Sequence, residues 1–210
     1  WVLNVKRDPA TGDVLKYKAR ITPAGNLQKK GDQVNGYTQS SYPVLSPVGL
    51  LYTFTYAMLV ARTIISHDTR QAFTTALLDR TIYIRPPFDF RKLVDPKTIA
   101  EFRSKHGDRR FNLRLIRSVY GLCQAGHLYV ENHKRVLRRL GFEQLENEPC
   151  MHVLDKHGHR MLLSVFVDDE LAVPLKAATE EHYLKEMRKE EDVQAEPCKS
   201  FLGMRVEQTP

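Results

Sequence analysis

The chain has 210 residues, 42% of them hydrophobic and 27% charged, with a formal net charge of +7. This is the profile of a soluble globular protein with one large domain or two lobes sharing a core, and no segment approaches the roughly 18 uninterrupted apolar residues of a membrane span. Three widely spaced cysteines (Cys123, Cys150 and Cys198) without a CxxC argue against a disulfide framework or a zinc module and for a reducing compartment. The positive charge predicts an anionic partner, nucleic acid first.

The N-terminus, WVLNVKRDP, has no signal-peptide architecture and no initiator Met, so a piece of a longer polypeptide is expected. Residues 1–25 alternate as a β-hairpin turning at Asp8–Gly12, and its second strand aligns Lys16, Lys18 and Arg20 on one face, suited to a polyphosphate or to an exposed edge. Pro23–Pro47, rich in Gly, Ser, Gln, Asn and Pro, reads as loop. Val48–Ile65 follows a proline and predicts a mostly buried helix. A short helix over Thr74–Leu78, a strand over Thr81–Ile84, an irregular stretch over residues 88–110 and a strand over Asn112–Ile116 come next. Residues 118–126 read as a turn into a helix from about His127 to Leu140, capped by Gly141. Two basic stretches, Lys105–Arg117 with Phe111 and His133–Arg139, suit phosphate contacts, or equally a solvated helix face.

A hairpin through residues 156–159 leads into Met161–Pro174, MLLSVFVDDELAVP. An apolar run meets Asp168 and Asp169, then returns to Leu171-Ala172-Val173 and stops at Pro174, which predicts a buried strand, a tight turn and a return strand. In one strand adjacent carboxylates point to opposite faces, but at a turn they converge, and burying them unpaired is costly, so a divalent cation is the natural partner. The bland alternative is a solvated acidic loop. A third carboxylate from elsewhere in the chain is needed to complete such a site. His157–His159 and the Cys150/His152 pair lack a completing partner at zinc spacing. Ala177–Glu191 predicts an amphipathic helix and Phe201–Val206 a last strand, giving an α+β layout of helices packed on an antiparallel sheet.

Seven fragments in order resemble the reverse transcriptase domain of copia-type LTR retrotransposons, and they span nearly the whole chain. WVLNVKRDPATG with YKARIT (17–22) resembles the start of the fingers; HDTRQAF (67–73) resembles "LDVKTAF", and IYIRPPF (82–88) resembles "IYMEQPPGF". SVYGLCQA (118–125) is similar to "SLYGLKQAP", and GFEQLENEPCMHV (141–153) to "GFKRSESDPCLYI". FVDDELAV (166–173) resembles "YVDDLLIAG", and FLGMRVE (201–207) resembles "FLGIEIE". The resemblance implies a right-hand polymerase architecture, with fingers over about 1–60 and 80–115, palm over about 61–79 and 116–210, and neither thumb nor RNase H. The implied function is RNA-directed DNA polymerase, extending a primer 3′-hydroxyl with dNTPs on an RNA or DNA template.

In-line nucleotidyl transfer uses two Mg²⁺ ions roughly 3.5–4 Å apart, with Mn²⁺ a substitute, and hard cations take carboxylate oxygen. By resemblance, Asp68, Asp168 and Asp169 are the catalytic metal ligands. Lys18 and Arg20 resemble the cations that neutralise the incoming triphosphate, and Phe73 the aromatic that crowds a ribose 2′-hydroxyl. Gln124 resembles the glutamine that contacts the nucleotide, and Phe166 stands beside the primer end where many members have Tyr. Read without the resemblance, Phe73 is a core aromatic and Gln124 a helix-cap amide. No membrane is involved, and the family implies the rest of a Gag-Pol polyprotein, integrase and RNase H included, in a cytoplasmic particle whose DNA product enters the nucleus.

Ala24, Cys123, Gly126 and His127 depart from the family pattern, as do Arg70 and Gln71. Glu170 replaces an apolar residue, and its charge would disturb the hairpin unless it faced solvent. The alternative readings are a catalytically inactive remnant that only binds nucleic acid and a Mg²⁺ nuclease sharing only the acidic pair, which leaves the ordered motifs unexplained.

Overall fold

The structure is a computed structural model that describes residues 1–8, 11–31, 33–107 and 112–208, with only the backbone of Arg91. In chain order the elements are β1 (Val2–Arg7), β2 (Val14–Arg20), α1 (Pro47–Leu59), β3 (Ile65–Arg70), β4 (Leu77–Ile84), α2 (Pro96–His106), β5 (Leu113–Arg117) and α3 (Ala125–Leu140). They continue as β6 (Glu143–Gln144), β7 (Met151–Lys156), β8 (His159–Phe166), β9 (Asp169–Pro174), α4 (Ala177–Met187), β10 (Asp192–Pro197), β11 (Ser200–Phe201) and β12 (Met204–Arg205). The chain forms two compact units, one from residues 1–40 and 77–125, the other from 41–76 and 126–210. Among the described residues no helix is long and apolar enough to cross a membrane.

In the first unit β1 pairs antiparallel with β2, and β4 with β5. The expected turn at Asp8–Gly12 includes Pro9 and Ala10, which lie outside the described residues, as do residues 108–111 of the first basic stretch, Phe111 among them. Residues 88–110 were expected to be irregular, yet α2 forms within them. Asp95 caps it by accepting the Lys97 N–H at 3.2 Å, and Pro96 occupies the first turn. It buries no residue, so no apolar stripe announced it. Elsewhere in this unit, backbones meet closely: a Cβ on Gly25 would lie 1.9 Å from the Gly121 carbonyl oxygen. Gly121 itself has φ +100°, and its Cβ would lie 2.3 Å from Thr22 Cγ2 and 2.6 Å from the Pro23 carbonyl oxygen. Gly121→Ala is therefore expected to cost about 3 kcal/mol through backbone strain and overpacking, read as a lower urea midpoint.

The second unit is built on a six-stranded antiparallel sheet in the order β10-β3-β9-β8-β7-β6. The alternation along β8 feeds two layers. Met161, Leu163 and Val165 join Val136 and Leu137 of α3 and Tyr183 and Met187 of α4. Leu162, with Leu171 and Val173 of β9, packs with Ala57 of α1, Cys198 and Phe201 on the other face. Ser46 caps α1, which approaches the sheet through its smallest side: Gly49, Thr53 and Ala57 are buried one turn apart, and Thr53 Oγ1 lies 2.6 Å from Ser164 Oγ of β8.

Three expectations are corrected here. The helix predicted over Val48–Ile65 stops at Leu59, because Ala61 takes a left-handed φ of +50°, and Ile65 opens β3 instead. Its burial is one-sided, with Val48, Leu51, Tyr52, Met58 and Leu59 exposed. In place of a helix over Thr74–Leu78, a 3-10 turn covers Ala72–Thr74 and β4 begins at Leu77. The last strand is a tight hairpin of β11 and β12 turning through Leu202 (φ +49°) and Gly203 (φ +80°). β10 went unread because DVQAEP is a polar edge strand.

Candidate active site

Register decides which carboxylates meet. β3 pairs with β9 so that Asp68 stands opposite Asp169, and β8 pairs with β9 so that Phe166 stands opposite Asp169. Cross-strand partners share a face, so Phe166, Asp169 and Asp68 form a row across three strands. Asp168 occupies the two-residue turn between β8 and β9, and its carbonyl accepts the Thr69 N–H at 3.2 Å. That turn places Val167 at φ +59°, a conformation a β-branched residue adopts only under constraint. The predicted strand–turn–strand and the third carboxylate therefore come to one corner of one sheet.

Burial first, then the charges of Asp168, Asp68 and Glu170, raise the Asp169 carboxyl to about 6. Among the described residues no three His, Cys, Asp or Glu side chains are gathered into a group that could hold a metal ion. The chemistry of the acidic corner nonetheless fits a hard divalent cation. Its donors are carboxylate oxygens of like charge, and their repulsion is what a cation would relieve.

Phe73 lies in the 3-10 turn after β3, packed with Ala72, Tyr129 and Val130, its ring centroid 6.0 Å from that of Tyr129. Lys18 and Arg20 belong to the first unit. There the Arg20 guanidinium carbon lies 4.8 Å from the Tyr120 ring centroid, and like-charged Lys6 and Lys16 face each other across the hairpin, a pairing that favours an anionic ligand. Gln124, also in the first unit, is buried. Its Oε1 accepts from Gln28 Nε2 at 3.3 Å and its Nε2 donates to the Gly36 carbonyl at 3.5 Å. The basic stretch His133–Arg139 is not a uniform cationic face. His133, Val136 and Leu137 are buried, Arg139 pairs with Glu190 at 2.7 Å and Lys134 with Glu131 at 3.5 Å.

Glu170 does not face solvent. It is fully buried, on the face of β9 opposite Asp169, and the hairpin tolerates it because it is surrounded by donors. His67 Nδ1 lies 3.0 Å from Glu170 Oε2, Tyr183 donates its hydroxyl to the same oxygen at 2.8 Å, and His133 Nε2 lies 2.7 Å from Glu170 Oε1. His67 Nε2 lies 2.6 Å from Glu180 Oε1, and His133 Nδ1 lies 3.4 Å from Glu191 Oε2. These residues escaped sequence reasoning, although a signal existed. Tyr129, His133, Val136 and Leu137 lie on one stripe of α3, and Glu180, Tyr183 and Met187 on one stripe of α4, so His133 and Glu180 interrupt apolar faces.

Burial alone would lower both imidazoles, but their carboxylate partners outweigh it and raise His67 to about 9 and His133 to about 10. Burial alone would raise Glu170, but His133 and His67 hold it well below the ordinary carboxylate range. Histidines raised on folding stabilise fully below their unfolded value of 6.5, and lose that contribution as pH rises through the folded values. The lowered Glu170 contributes above its ordinary 4.5 and fails only in strong acid. The urea midpoint is therefore expected to fall between pH 7 and pH 10, and to fall less in Glu170→Leu.

The mixed fold, with its antiparallel sheet and row of carboxylates, is that of a chain belonging to the reverse transcriptase (RNA-dependent DNA polymerase) family, whose model matches residues 1–210. Among curated proteins it is similar to the retrovirus-related Pol polyprotein from transposon RE2 of Arabidopsis thaliana, 23% identical over 211 residues, covering 100% of this chain and 13% of that protein. It is also similar to the retrovirus-related Pol polyprotein from transposon RE1 of the same plant, 23% identical over 171 residues, 81% of this chain and 10% of the relative. The chain thus spans about an eighth or less of the length of these relatives.

Proposed function

We propose that this chain is the polymerising part of a copia-type retrotransposon polyprotein, an RNA-directed DNA polymerase that extends a primer 3′-hydroxyl with dNTPs. The observation that supports it best is the register that sets Asp68 opposite Asp169 with Asp168 in the adjoining turn. On this reading residues 61–79 and 116–210 form the palm, and about 1–60 and 80–115 the fingers, although α1 packs on β8 and β9 in the second unit. Asp68, Asp168 and Asp169 would hold two divalent cations, which supply Lewis-acid stabilisation to the attacking and leaving oxygens when bound. Arg20 and Lys18 bind the triphosphate as charge-assisted donors. The Phe73 ring excludes a 2′-hydroxyl, while Phe166 lies against the primer end. Gln124 reaches a nucleotide only by exchanging its bonds to Gln28 and Gly36. Partners are a primed RNA or DNA template and the integrase and RNase H portions of the polyprotein, in a cytoplasmic particle.

The departures from the family pattern at Ala24, Cys123, Gly126 and His127 favour, as a second reading, a remnant that binds nucleic acid without catalysis. Primer extension on poly(rA)/oligo(dT) with Mg²⁺ or Mn²⁺ separates the two, run for the native chain beside Asp68→Asn. Extension that disappears in Asp68→Asn is expected. A well-folded native chain that does not extend, and binds primer–template as tightly as Asp68→Asn does, would establish the remnant.

A further inference from the structure

Beneath the acidic corner the second unit buries a line of charge. It runs from Glu180 through His67 to Glu170, then through His133 to Glu191, with every separation 3.4 Å or less. Tyr129 donates its hydroxyl to Glu191 at 3.4 Å, and its ring is the one packed against Phe73. His67 and Glu170 are direct cross-strand partners, one residue before Asp68 and one after Asp169.

We infer that this buried network is a positioning device that holds Asp68 opposite Asp169 and seats Phe73. The inference rests on the polymerase reading above. Its physical basis is alternation: a one-residue slip of β3 against β9 would carry His67 to the outer face and Asp68 into the interior. Apolar cores tolerate slips that exchange one apolar side chain for another. His67 and Glu170 have no such substitutes, because any other register leaves a buried charge without its partner. Glu170 also collects contacts from three elements at once, His67 of β3, His133 of α3 and Tyr183 of α4, so β9 is tied to both helices as well as to its neighbour. Tyr129 and His133 lie one turn apart on α3, so the helix that holds Glu170 is the helix that holds Phe73. The residues act through the acids and the ring; none is assigned contact with substrate.

The test is the double variant His67→Leu/Glu170→Leu, which replaces the charged pair by an apolar one, measured beside the native chain, Asp68→Asn and Glu170→Gln. Thermal unfolding reports the fold, electron paramagnetic resonance of added Mn²⁺ reports the acidic corner without requiring turnover, and primer extension is read as kcat and KM for dTTP against UTP. The double variant is expected to unfold cooperatively, bind Mn²⁺ about tenfold more weakly, lose about tenfold in kcat with little change in KM, and discriminate less against UTP. Glu170→Gln keeps the shape and part of the hydrogen bonding, and should fall between native and double variant. A folded double variant, or Glu170→Gln if the double variant does not fold, with native Mn²⁺ affinity and native selectivity would overturn the inference. In that case extension would still be lost in Asp68→Asn and the polymerase reading would stand. A native chain that neither binds Mn²⁺ nor extends a primer would sink both.

Discussion

Glu170→Leu is expected to destabilise the second unit by about 3–5 kcal/mol, the range for breaking a buried ionic cluster by removing one member. Glu170 is fully buried and receives two imidazoles and a tyrosine hydroxyl. Leucine fills the space but leaves His67 with Glu180 alone and His133 with Glu191 alone, and leaves the Tyr183 hydroxyl without its acceptor. The measurement is the urea midpoint at pH 7 with the slope held comparable. The partner change separates charge from packing: adding His67→Leu should recover the part of the loss that facing leucines on β3 and β9 regain by packing, but not the part set by Glu180, which then loses His67. A single-variant cost below about 1 kcal/mol, the scale of an ordinary surface change or weak pair, would show that Glu170 is not held by its histidines.

On the proposed polymerase reading, Asp168→Asn is expected to lower primer extension on the order of 10³-fold, because several kcal/mol of transition-state charge stabilisation would depend on the acidic corner. Asp168 contributes to raising the Asp169 carboxyl to about 6, so neutralising it is expected to bring the Asp169 titration back toward the ordinary carboxylate range. Extension within tenfold of the native rate would remove Asp168 from the metal-holding set. The strained turn at Val167 agrees with a corner shaped for more than stability.

Much of the acidic corner was legible in the chain. The apolar run Leu162–Val167, the two acids and the return Leu171–Val173 dictated a hairpin, and β8 and β9 form it. The α3 helix was likewise placed by local pattern, whereas Asp68 and Phe73 were singled out by the resemblance. α2 was missed because it has no apolar stripe, and β10 because an edge strand needs none. The least legible feature was Glu170. Its neighbours in the chain are an acid and an apolar run, and nothing local distinguishes a solvated glutamate from one buried among histidines.

By itself the sequence determined that two acids sit at a hairpin turn and which residues alternate toward a core. Those are short-range matters of period and turn chemistry. Only the tertiary structure decided that β3 lies beside β9, that Asp68 therefore faces Asp169, and that His67 meets Glu170 and Glu180 from positions 103 and 113 residues away. A period-two pattern assigns a face to each side chain and says nothing of the neighbouring strand, so the partners that make a buried charge tolerable exist only once the sheet is assembled.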